Sequence, residues 1–278
     1  MTAATPRRAA VLGSPIGHSL SPTLHRAAYE ALGLTGWTYE AYDVTEDRLG
    51  DFLAGLDPTW AGLSLTMPLK AAVLPMLDGA APVVDVVGAA NTVLVRDGRL
   101  IGENTDVPGM IASLAHHEVD AVDYVAVLGA GATARSALAS AAAVTGSVTV
   151  YSRSATRAES LHATGKAVGV DVDVKPWSAA AEAFTAPLVV NTSPAGAADG
   201  WVRAVPREVG TLLEVVYDPW PTPLVAAWTA RQGRVVDGLD LLVRQAVLQV
   251  GLMTGAEVDV PGLADLLRSA GERALRSA

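Results

Sequence analysis

The most constraining feature of this chain is the segment Tyr124–Arg135, which reads Tyr-Val-Ala-Val-Leu-Gly-Ala-Gly-Ala-Thr-Ala-Arg. Its apolar run Val125–Leu128 has the length of a strand, and a helix-forming sequence follows the two glycines. Strand, glycine turn and helix in this order are typical of a dinucleotide-binding fold. Gly129 permits the tight turn, and Gly131 lets the backbone approach a pyrophosphate at the positive end of the helix. A buried turn without a ligand is the alternative, but the strand and helix on either side favour nucleotide binding.

Strand and helix patterns alternate along the rest of the chain. Early strands are predicted at 9–12, 37–44 and from Ala61 to the turn at Pro68, and Arg96-Asp97-Gly98-Arg99 predicts a hairpin. After the glycine segment, Ala-rich helices separate the strands, which is typical of an α/β fold with a parallel sheet. The later strands are predicted at Ser147–Tyr151, Val170–Val174, Leu188–Asn191 and Leu212–Val216, and two final helices without an intervening strand at Gly238–Met253 and Pro261–Ala274.

Composition excludes several classes of protein. The 278 residues are half apolar and 18% charged, which indicates a globular chain long enough for two modest domains. A net charge of −9 argues against a nucleic-acid partner, and no apolar run approaches the about 18 residues that cross a bilayer. There is no cysteine, so disulfides and thiolate nucleophiles are excluded, and we expect a cytoplasmic location. We expect no metal site, because the adjacent His116 and His117 point in different directions from a helix and are interpreted as surface residues.

Polar residues in three segments of the chain fall where α/β proteins bind ligands. Ser19 and Ser21 precede an amphipathic helix, with Ser21 predicted as its N-cap, and two hydroxyls with free N–H groups can bind a carboxylate. Thr66 and Lys70 follow a strand, at the edge where open sheets bind ligands. Taken alone, Ser21 is better explained as a cap. Lys70 has an alternative explanation as an exposed lysine, which is weakened because a cation at a helix N-terminus is unfavourable. Asp106 lies near the start of a helix predicted from about Pro108, and it is a capping residue or a functional one.

The second strand of the predicted nucleotide fold indicates which cofactor binds. In this fold an acidic residue at the end of that strand binds the ribose of NAD. Here the strand continues into Ser152-Arg153-Ser154, followed by Arg157, with no acid before Glu159. Two arginines and two hydroxyls suit a 2′-phosphate, so NADP is the predicted cofactor. A solvated basic loop is the alternative, but basic residues are concentrated here in a chain that is acidic as a whole.

The chain resembles the shikimate dehydrogenase family over nearly its whole length. The resemblance rests on several blocks in one order, which is more specific than a single glycine motif. The blocks are Gly13-Ser14-Pro15-Ile16-Gly17-His18-Ser19-Leu20-Ser21-Pro22, Ser64-Leu65-Thr66-Met67-Pro68-Leu69-Lys70, Ala89-Ala90-Asn91-Thr92, Asn104-Thr105-Asp106, Gly129-Ala130-Gly131-Ala132, Asn191-Thr192-Ser193-Pro194, Tyr217-Asp218-Pro219 and Gly238-Leu239 through Gln245.

The resemblance implies a fold and an activity. The expected fold class is α/β, with a Rossmann-type dinucleotide-binding domain and an α/β substrate domain completed by the C-terminal helices. Residues 1–105 and 239–278 would bind the substrate, and residues 106–238 would bind NADP. The implied reaction is the NADP-dependent reduction of 3-dehydroshikimate to shikimate in a monomer or homodimer.

The resemblance also implies residue roles. Ser19 and Ser21 would hold the substrate carboxylate with Tyr217, and Thr66, Asn91 and Gln245 would bind the ring hydroxyls. Lys70 and Asp106 would transfer the proton, since ketone reduction builds charge on an oxygen and no histidine or cysteine competes. The cofactor-binding residues would be Gly129, Ala130, Gly131, Ala132, Thr133, Ser152, Arg153, Ser154, Arg157 and Gly238.

Departures and alternatives remain at this stage. The family often has Asn at the positions of Ser64 and Ser152. Quinate-using relatives tend to have Thr at the position of Ser21, and NAD-using relatives an acid near Ser154; neither is present. A quinate/shikimate dehydrogenase and a non-catalytic NADP(H) sensor on the same scaffold are the alternatives. A methyltransferase-like Rossmann domain is disfavoured because its ribose-binding acid is missing.

Overall fold

The protein divides into two compact units in a computed structural model that describes residues 6–277. The first unit contains the chain up to Thr105 and again from Leu242, and the second is the continuous segment Asp106–Leu241. In the described part of the chain, no helix is long and apolar enough to cross a membrane.

The first unit is built on a six-stranded mixed sheet with strand order β2-β1-β3-β5-β6-β4. β1 runs parallel to both β2 and β3, and β5 is antiparallel to β3 and β6. The elements are β1 (Arg7–Gly13), α1 (Ser21–Ala31), β2 (Trp37–Asp43), α2 (Glu46–Ala54), β3 (Trp60–Leu65), α3 (Leu69–Ala72), β4 (Gly79–Ala80), α4 (Pro82–Val87), β5 (Thr92–Arg96) and β6 (Arg99–Glu103).

The hairpin between β5 and β6 follows the sequence prediction. Asp97 and Gly98 both have positive φ, at 51° and 75°. Two such residues form a turn whose twist matches the flanking strands, and Asp-Gly is a favoured pair for it.

The second unit is a fully parallel sheet with strand order β12-β11-β10-β7-β8-β9. The order reverses between β7 and β10, which is the doubly wound arrangement of a Rossmann fold. The elements are α5 (Asp106–His116), β7 (Val125–Leu128), α6 (Ala132–Ala141), β8 (Ser147–Ser152), α7 (Ala158–Val168), β9 (Asp171–Pro176), β10 (Leu188–Asn191), β11 (Thr211–Glu214), α8 (Pro223–Thr229) and β12 (Arg234–Val236).

Two helices end the chain: α9 (Gly238–Thr254) and α10 (Val260–Ser277). Within the first unit, α10 packs against α1. The predicted bounds of these helices, Gly238–Met253 and Pro261–Ala274, differ from the observed ones by at most three residues.

Alternate residues of β7 pack into different cores, because successive side chains point to opposite faces of a sheet. Val125 and Val127 join a cluster with residues of α5, α6 and α7, whereas Ala126 and Leu128 join a cluster around Phe184. Both faces are therefore covered, and the apolar strands of this unit follow from that double burial.

Several local predictions were wrong. Ser21 is the first residue of α1 rather than its N-cap, which is Leu20, and its side chain makes no cap hydrogen bond. The strand predicted at Leu212–Val216 ends at Glu214, and the helix expected from Pro108 begins at Asp106. Two gaps that were expected to hold Ala-rich helices contain instead the 3-10 helices Trp177–Thr185 and Asp199–Ala204. β4, α4 and β12 had no predicted counterpart, because runs of two to six residues carry too little periodicity.

Candidate functional site

The glycine turn after β7 is shaped for close approach of a ligand. Gly129 has a φ of +108°, and a Cβ there would lie 2.7 Å from Thr192 Oγ1, so a side chain is excluded on both grounds. A Cβ on Gly131 would meet only the guanidinium of Arg157, at 4.0 Å. Gly131 is the N-cap of α6 and has no side chain with which to make a cap hydrogen bond. The first N–H groups of α6, including those of Ala132 and Thr133, are therefore available to an anion.

Two guanidinium groups lie beside this turn. Arg157 Nη1 donates to the carbonyl oxygen of Ala130 at 3.3 Å, which holds the side chain over the glycines. Burial lowers the pKa of Arg135, and the nearby charge of Arg157 lowers it further, so the two cations are close enough to repel. A bound phosphate would relieve that repulsion. Arg135, in the first turn of α6, was absent from the sequence-predicted site.

The loop after β8 separates its predicted residues into an inner and an outer group. Ser152 is buried, and its Oγ accepts from the N–H of Ser154 at 3.0 Å and donates to the Ser154 carbonyl oxygen at 3.0 Å. Arg153 is exposed, with its guanidinium carbon 6.0 Å from the centre of the Trp177 ring. Ser152 therefore shapes the loop, while Arg153 and the Ser154 hydroxyl can reach a ligand.

Glu214, the last residue of β11, forms hydrogen bonds that join the ends of β10 and β11. The side chain is fully buried, and Oε2 accepts from Asn191 Nδ2 at 2.8 Å and from Thr222 Oγ1 at 3.3 Å. Oε1 accepts from the N–H of Val216 at 3.1 Å. Burial raises the pKa of Glu214 to about 7, although these three hydrogen bonds act in the opposite direction. The network holds the segment after β11, which carries the predicted residue Tyr217.

Gly238, also predicted to bind the cofactor, has a structural reason to be glycine. A Cβ at this position would lie 2.4 Å from the carbonyl oxygen of Val215, so α9 can begin here only without a side chain.

In the first unit, three segments carrying predicted site residues meet at one edge of the sheet. The N–H of Ser14 donates to the carbonyl oxygen of Met67 at 3.0 Å, which joins the loop after β1 to the loop after β3. A Cβ on Gly13 would lie 2.3 Å from Thr66 Cγ2, so glycine allows this approach. The N–H of Leu65 donates to the carbonyl oxygen of Asn91 at 2.7 Å, which places the start of β5 beside the end of β3.

The two predicted carboxylate-binding serines lie at the start of α1. Ser19 is half-buried, and its Oγ accepts from the N–H of Ser21 at 3.3 Å. Ser21 is buried, and its carbonyl oxygen is 3.0 Å from Nδ1 of the fully buried His25. Because that carbonyl can only accept, Nδ1 carries the proton of a neutral ring, and burial lowers the pKa of His25 to about 4.

Asn91, which is predicted to bind a ring hydroxyl, has its side-chain amide fully hydrogen-bonded to protein partners. Its Nδ2 donates to Thr105 Oγ1 at 2.9 Å and to Gln245 Oε1 at 3.1 Å. Its Oδ1 accepts from the N–H of Thr105 at 2.8 Å and from Thr92 Oγ1 at 2.9 Å. A primary amide offers two donors and two lone pairs, so all four are used. The predicted contact of Asn91 with a ligand stays a prediction, and it would require one of these bonds to yield.

Lys70 and Asp106, the predicted proton-transfer residues, belong to different compact units. Lys70 is half-buried in α3, and its carbonyl oxygen accepts from the N–H of Ala90 at 2.8 Å. Asp106 is 5% exposed and is the first residue of α5, directly after Thr105. Burial of a carboxylate at this degree is unusual and is characteristic of a functional or paired group.

The comparisons with known proteins extend over nearly the whole chain. Residues 11–93 match the family described as the shikimate dehydrogenase substrate binding domain. The shikimate dehydrogenase (NADP(+)) of Thermus thermophilus is 37% identical over 95% of this chain and 98% of its own.

The chain belongs to the shikimate dehydrogenase family.

Solved structures of shikimate dehydrogenases agree with this assignment. The crystal structure of Mycobacterium tuberculosis shikimate dehydrogenase is 38% identical, covers 95% of this chain and 100% of its own, and has a TM-score of 0.86. The shikimate 5-dehydrogenase of Thermus thermophilus, crystallised in complex with NADP(H) and shikimate, is 35% identical, covers 95% and 99%, and has a TM-score of 0.81. The α/β prediction, with its Rossmann-type domain, is confirmed.

The two departures from the usual shikimate dehydrogenase sequence have different structural accounts. Ser64 is 4% exposed and accepts from Tyr39 Oη at 2.6 Å while donating to Gln249 Oε1 at 2.8 Å, so it points into a buried network. Ser152 closes its own loop, as described above.

Sequence reasoning missed four residues of these networks: Tyr39, Arg135, Glu214 and Gln249. Two carried a usable signal. Arg135 is a cation in the first turn of a helix, the same unfavourable placement that drew attention to Lys70. Gln249 is four residues after Gln245 in α9, hence on the same helix face.

His116 is exposed and His117 half-buried, but the prediction that the two side chains point in different directions was wrong. His116 and His117 have ring centroids 5.3 Å apart, and their nitrogens lie within 4.8 Å of a carboxylate oxygen of Asp240 and of one another. The expected divergence assumed that both residues are helical, whereas α5 ends at His116 and His117 lies in the turn that follows. Asp240 is buried and His117 half-buried, with 3.9 Å between Nε2 and Oδ2.

Proposed function

We propose that this protein is an NADP-dependent shikimate dehydrogenase that reduces 3-dehydroshikimate to shikimate. The observation that carries the proposal is the similarity, across 95% of the chain, to a Thermus enzyme crystallised with NADP(H) and shikimate. The residues of each unit supply chemistry that fits those two ligands.

The second unit fits NADP. The N-terminus of α6 would hold the pyrophosphate, because Gly129 and Gly131 leave room for it and the helix offers N–H donors. Arg153, Ser154 and Arg157 would bind the 2′-phosphate, and Arg135 would add a second charge beside the glycine turn. Ala130, Ala132 and Thr133 would contribute backbone contacts, with Ser152 and Gly238 supporting the fold around them.

The first unit fits a small hydroxylated acid. Ser19 and Ser21 would bind the carboxylate at the start of α1, supported by Tyr217 from the second unit. Thr66, Asn91 and Gln245 would bind ring hydroxyls, and Asn91 also holds the amide of Gln245. These roles extend the domain assignment of the sequence, with 1–105 and 239–278 as the substrate domain and 106–238 as the NADP domain.

The reaction needs a proton as well as a hydride. NADPH, when bound, supplies the hydride that reaches the ketone carbon. Negative charge then develops on the ketone oxygen, and the Lys70 ammonium would donate a proton to it. Asp106 would hold the ammonium in place and stabilise its charge. In the reverse direction, neutral Lys70 takes the hydroxyl proton while the hydride leaves the ring carbon.

The test follows the absorbance of NADPH and NADH with 3-dehydroshikimate, and of NADP and NAD with shikimate and quinate. We expect turnover with NADPH and 3-dehydroshikimate, and with NADP and shikimate. NADPH binding without oxidation would indicate a sensor, and comparable turnover of quinate would indicate a quinate/shikimate dehydrogenase.

We also propose that the protein works in the cytoplasm, since a cysteine-free chain suits a reducing compartment. Light scattering after size exclusion would distinguish the expected monomer or homodimer from larger assemblies.

A further inference from the structure

A buried chain of hydrogen bonds runs through the first unit from β2 to α9. Tyr39 Oη donates to Ser64 Oγ at 2.6 Å, and Ser64 Oγ donates to Gln249 Oε1 at 2.8 Å. Burial raises the pKa of Tyr39, and the neighbouring hydroxyls of Ser64 and Ser21 oppose that rise. The chain therefore begins beside Ser21, one of the proposed carboxylate-binding residues.

From Gln249 the hydrogen bonds continue to Gln245. Gln249 Nε2 donates to Thr92 Oγ1 at 2.8 Å, and Thr92 Oγ1 donates to Asn91 Oδ1 at 2.9 Å. Asn91 Nδ2 then donates to Gln245 Oε1 at 3.1 Å. We call this set the amide relay: Tyr39, Ser64, Gln249, Thr92, Asn91 and Gln245.

Backbone groups set the direction of the relay at each of its three amides. The N–H of Thr105 can only donate, and it donates to Asn91 Oδ1 at 2.8 Å. The carbonyl oxygen of Asn91 can only accept, and it accepts from Gln249 Nε2 at 3.2 Å. The carbonyl oxygen of Leu242 likewise accepts from Gln245 Nε2 at 3.1 Å. The oxygen and nitrogen of an amide are assigned from such partners, and these backbone bonds agree with the side-chain bonds of the relay in the orientation of all three amides.

Reversal of any amide would place donor against donor or acceptor against acceptor. Tyr39 and Thr92 are 0% exposed, Asn91 and Gln249 are 1% exposed, so water cannot repair the mismatch. The amide of Gln245, 7% exposed, is thus held with its oxygen inward. One hydrogen of Nε2 goes to Leu242, and among residues 6–277 the other has no acceptor.

We propose that Gln249 is a positioning residue for substrate binding, which acts through Thr92 and Asn91 to present Gln245 to the substrate as an N–H donor. The inference rests on the proposed function, because it requires the substrate to contact Gln245. A substrate oxygen at this point must therefore accept a hydrogen bond. Ser64, where the family often has Asn, is the short hydroxyl that links the tyrosine to Gln249.

A double-mutant cycle tests the inference. We measure the shikimate KM, kcat and NADP KM of the unmutated protein, Gln249→Met, Gln245→Ala and the double variant. Gln249→Met should raise the shikimate KM about 5- to 10-fold, as expected for loss of an oriented hydrogen bond, with the NADP KM unchanged. In the Gln245→Ala background the same change should have almost no further effect, because Gln249 acts through Gln245.

Thr254→Val is the matched control, since Thr254 Oγ1 donates to the carbonyl oxygen of Val250 at 2.7 Å in the same helix but outside the relay. It should lower the melting temperature with an unchanged shikimate KM. If Gln249→Met does not fold, Thr92→Val interrupts the relay with little change of shape and should raise the shikimate KM, and Thr92→Ser should restore it.

If Gln249→Met raises the shikimate KM by the same factor in the unmutated protein and in Gln245→Ala, the inference is overturned and the proposed function is unaffected. The same holds for a Gln249→Met protein that behaves like Thr254→Val, or a Thr92→Ser protein that binds shikimate no better than Thr92→Val. Absence of shikimate turnover in the unmutated protein rejects the proposed function, and the inference with it.

Discussion

The buried carboxyl of Glu214 should make the stability of the protein depend on pH in a way that one substitution removes. The folded state raises the pKa of Glu214 from its ordinary 4.5 to about 7, mainly through burial. Below pH 4.5 the side chain is protonated in both states. Between pH 4.5 and about 7 the unfolded chain has released this proton while the folded protein still retains it, and above 7 the folded protein holds a desolvated carboxylate. The free energy of unfolding therefore falls between these two values.

The magnitude follows from the shift. One pKa unit corresponds to about 1.4 kcal/mol, so the loss between pH 5 and pH 8 should be about 2–3 kcal/mol. His25, whose pKa burial lowers to about 4, acts in the opposite sense, and its contribution is lost as the pH falls below 6.5. It is the same in both proteins and cancels when the unmutated protein is compared with Glu214→Gln.

The assay is urea unfolding followed by tryptophan fluorescence at pH 5 and pH 8. The free energy of unfolding of the unmutated protein, relative to that of Glu214→Gln, should fall by about 2–3 kcal/mol from pH 5 to pH 8. The amide nitrogen of the glutamine would also face another donor, Asn191 Nδ2 or Thr222 Oγ1. This mismatch destabilises Glu214→Gln by an amount that does not depend on pH. Glu182→Gln is the control, because Glu182 forms an exposed ion pair with Lys175. A pH-independent difference for Glu214→Gln, or one that grows with pH, refutes the reasoning.

Three further outcomes are expected at the proposed site. Lys70→Ala and Asp106→Asn should lose turnover with saturating shikimate by about 10²–10⁴-fold, as expected for general acid–base residues, and turnover within a few-fold for both contradicts their role. Arg153→Ala should raise the NADPH KM about 10- to 100-fold with NADH use nearly unchanged, whereas equal losses for both cofactors would show a structural role. Ser19→Ala should weaken shikimate binding and, because its Oγ accepts from the start of α1, lower stability by about 0.5–1 kcal/mol; normal shikimate kinetics would leave it a purely structural residue.

The parallel sheet of the second unit was predictable because its information is local. Each strand is an apolar run that ends at turn residues. Gly129 and Gly131 indicate the turn from β7 into the first crossover helix. β12 was not predictable, since three residues pair with β11 only because the neighbouring strand is already in place. Ser21 was wrongly assigned as a cap because the pattern Ser-Pro predicts a helix start without stating which residue is the first.

The site was predictable to a different degree. Residues at strand ends and helix starts, such as Thr66 and Ser19, follow from their position in the chain. The amide relay does not, because Ser64 and Gln249 are 185 positions apart and meet only in the folded unit. The saturation of Asn91 is likewise visible only when all four partners of its amide are known.

The discontinuity of the first unit has a consequence for how the protein is made. The second unit is continuous in sequence, so its sheet can be completed as soon as residues 106–241 have left the ribosome. The six strands of the first unit are synthesised earlier, but this unit is completed only when α9 and α10 have been synthesised. Until α9 emerges, Ser64, Thr92 and Asn91 lack the glutamines that satisfy them in the folded protein. We therefore expect the second unit to complete its fold before the first, whose residues lie on both sides of it in the sequence.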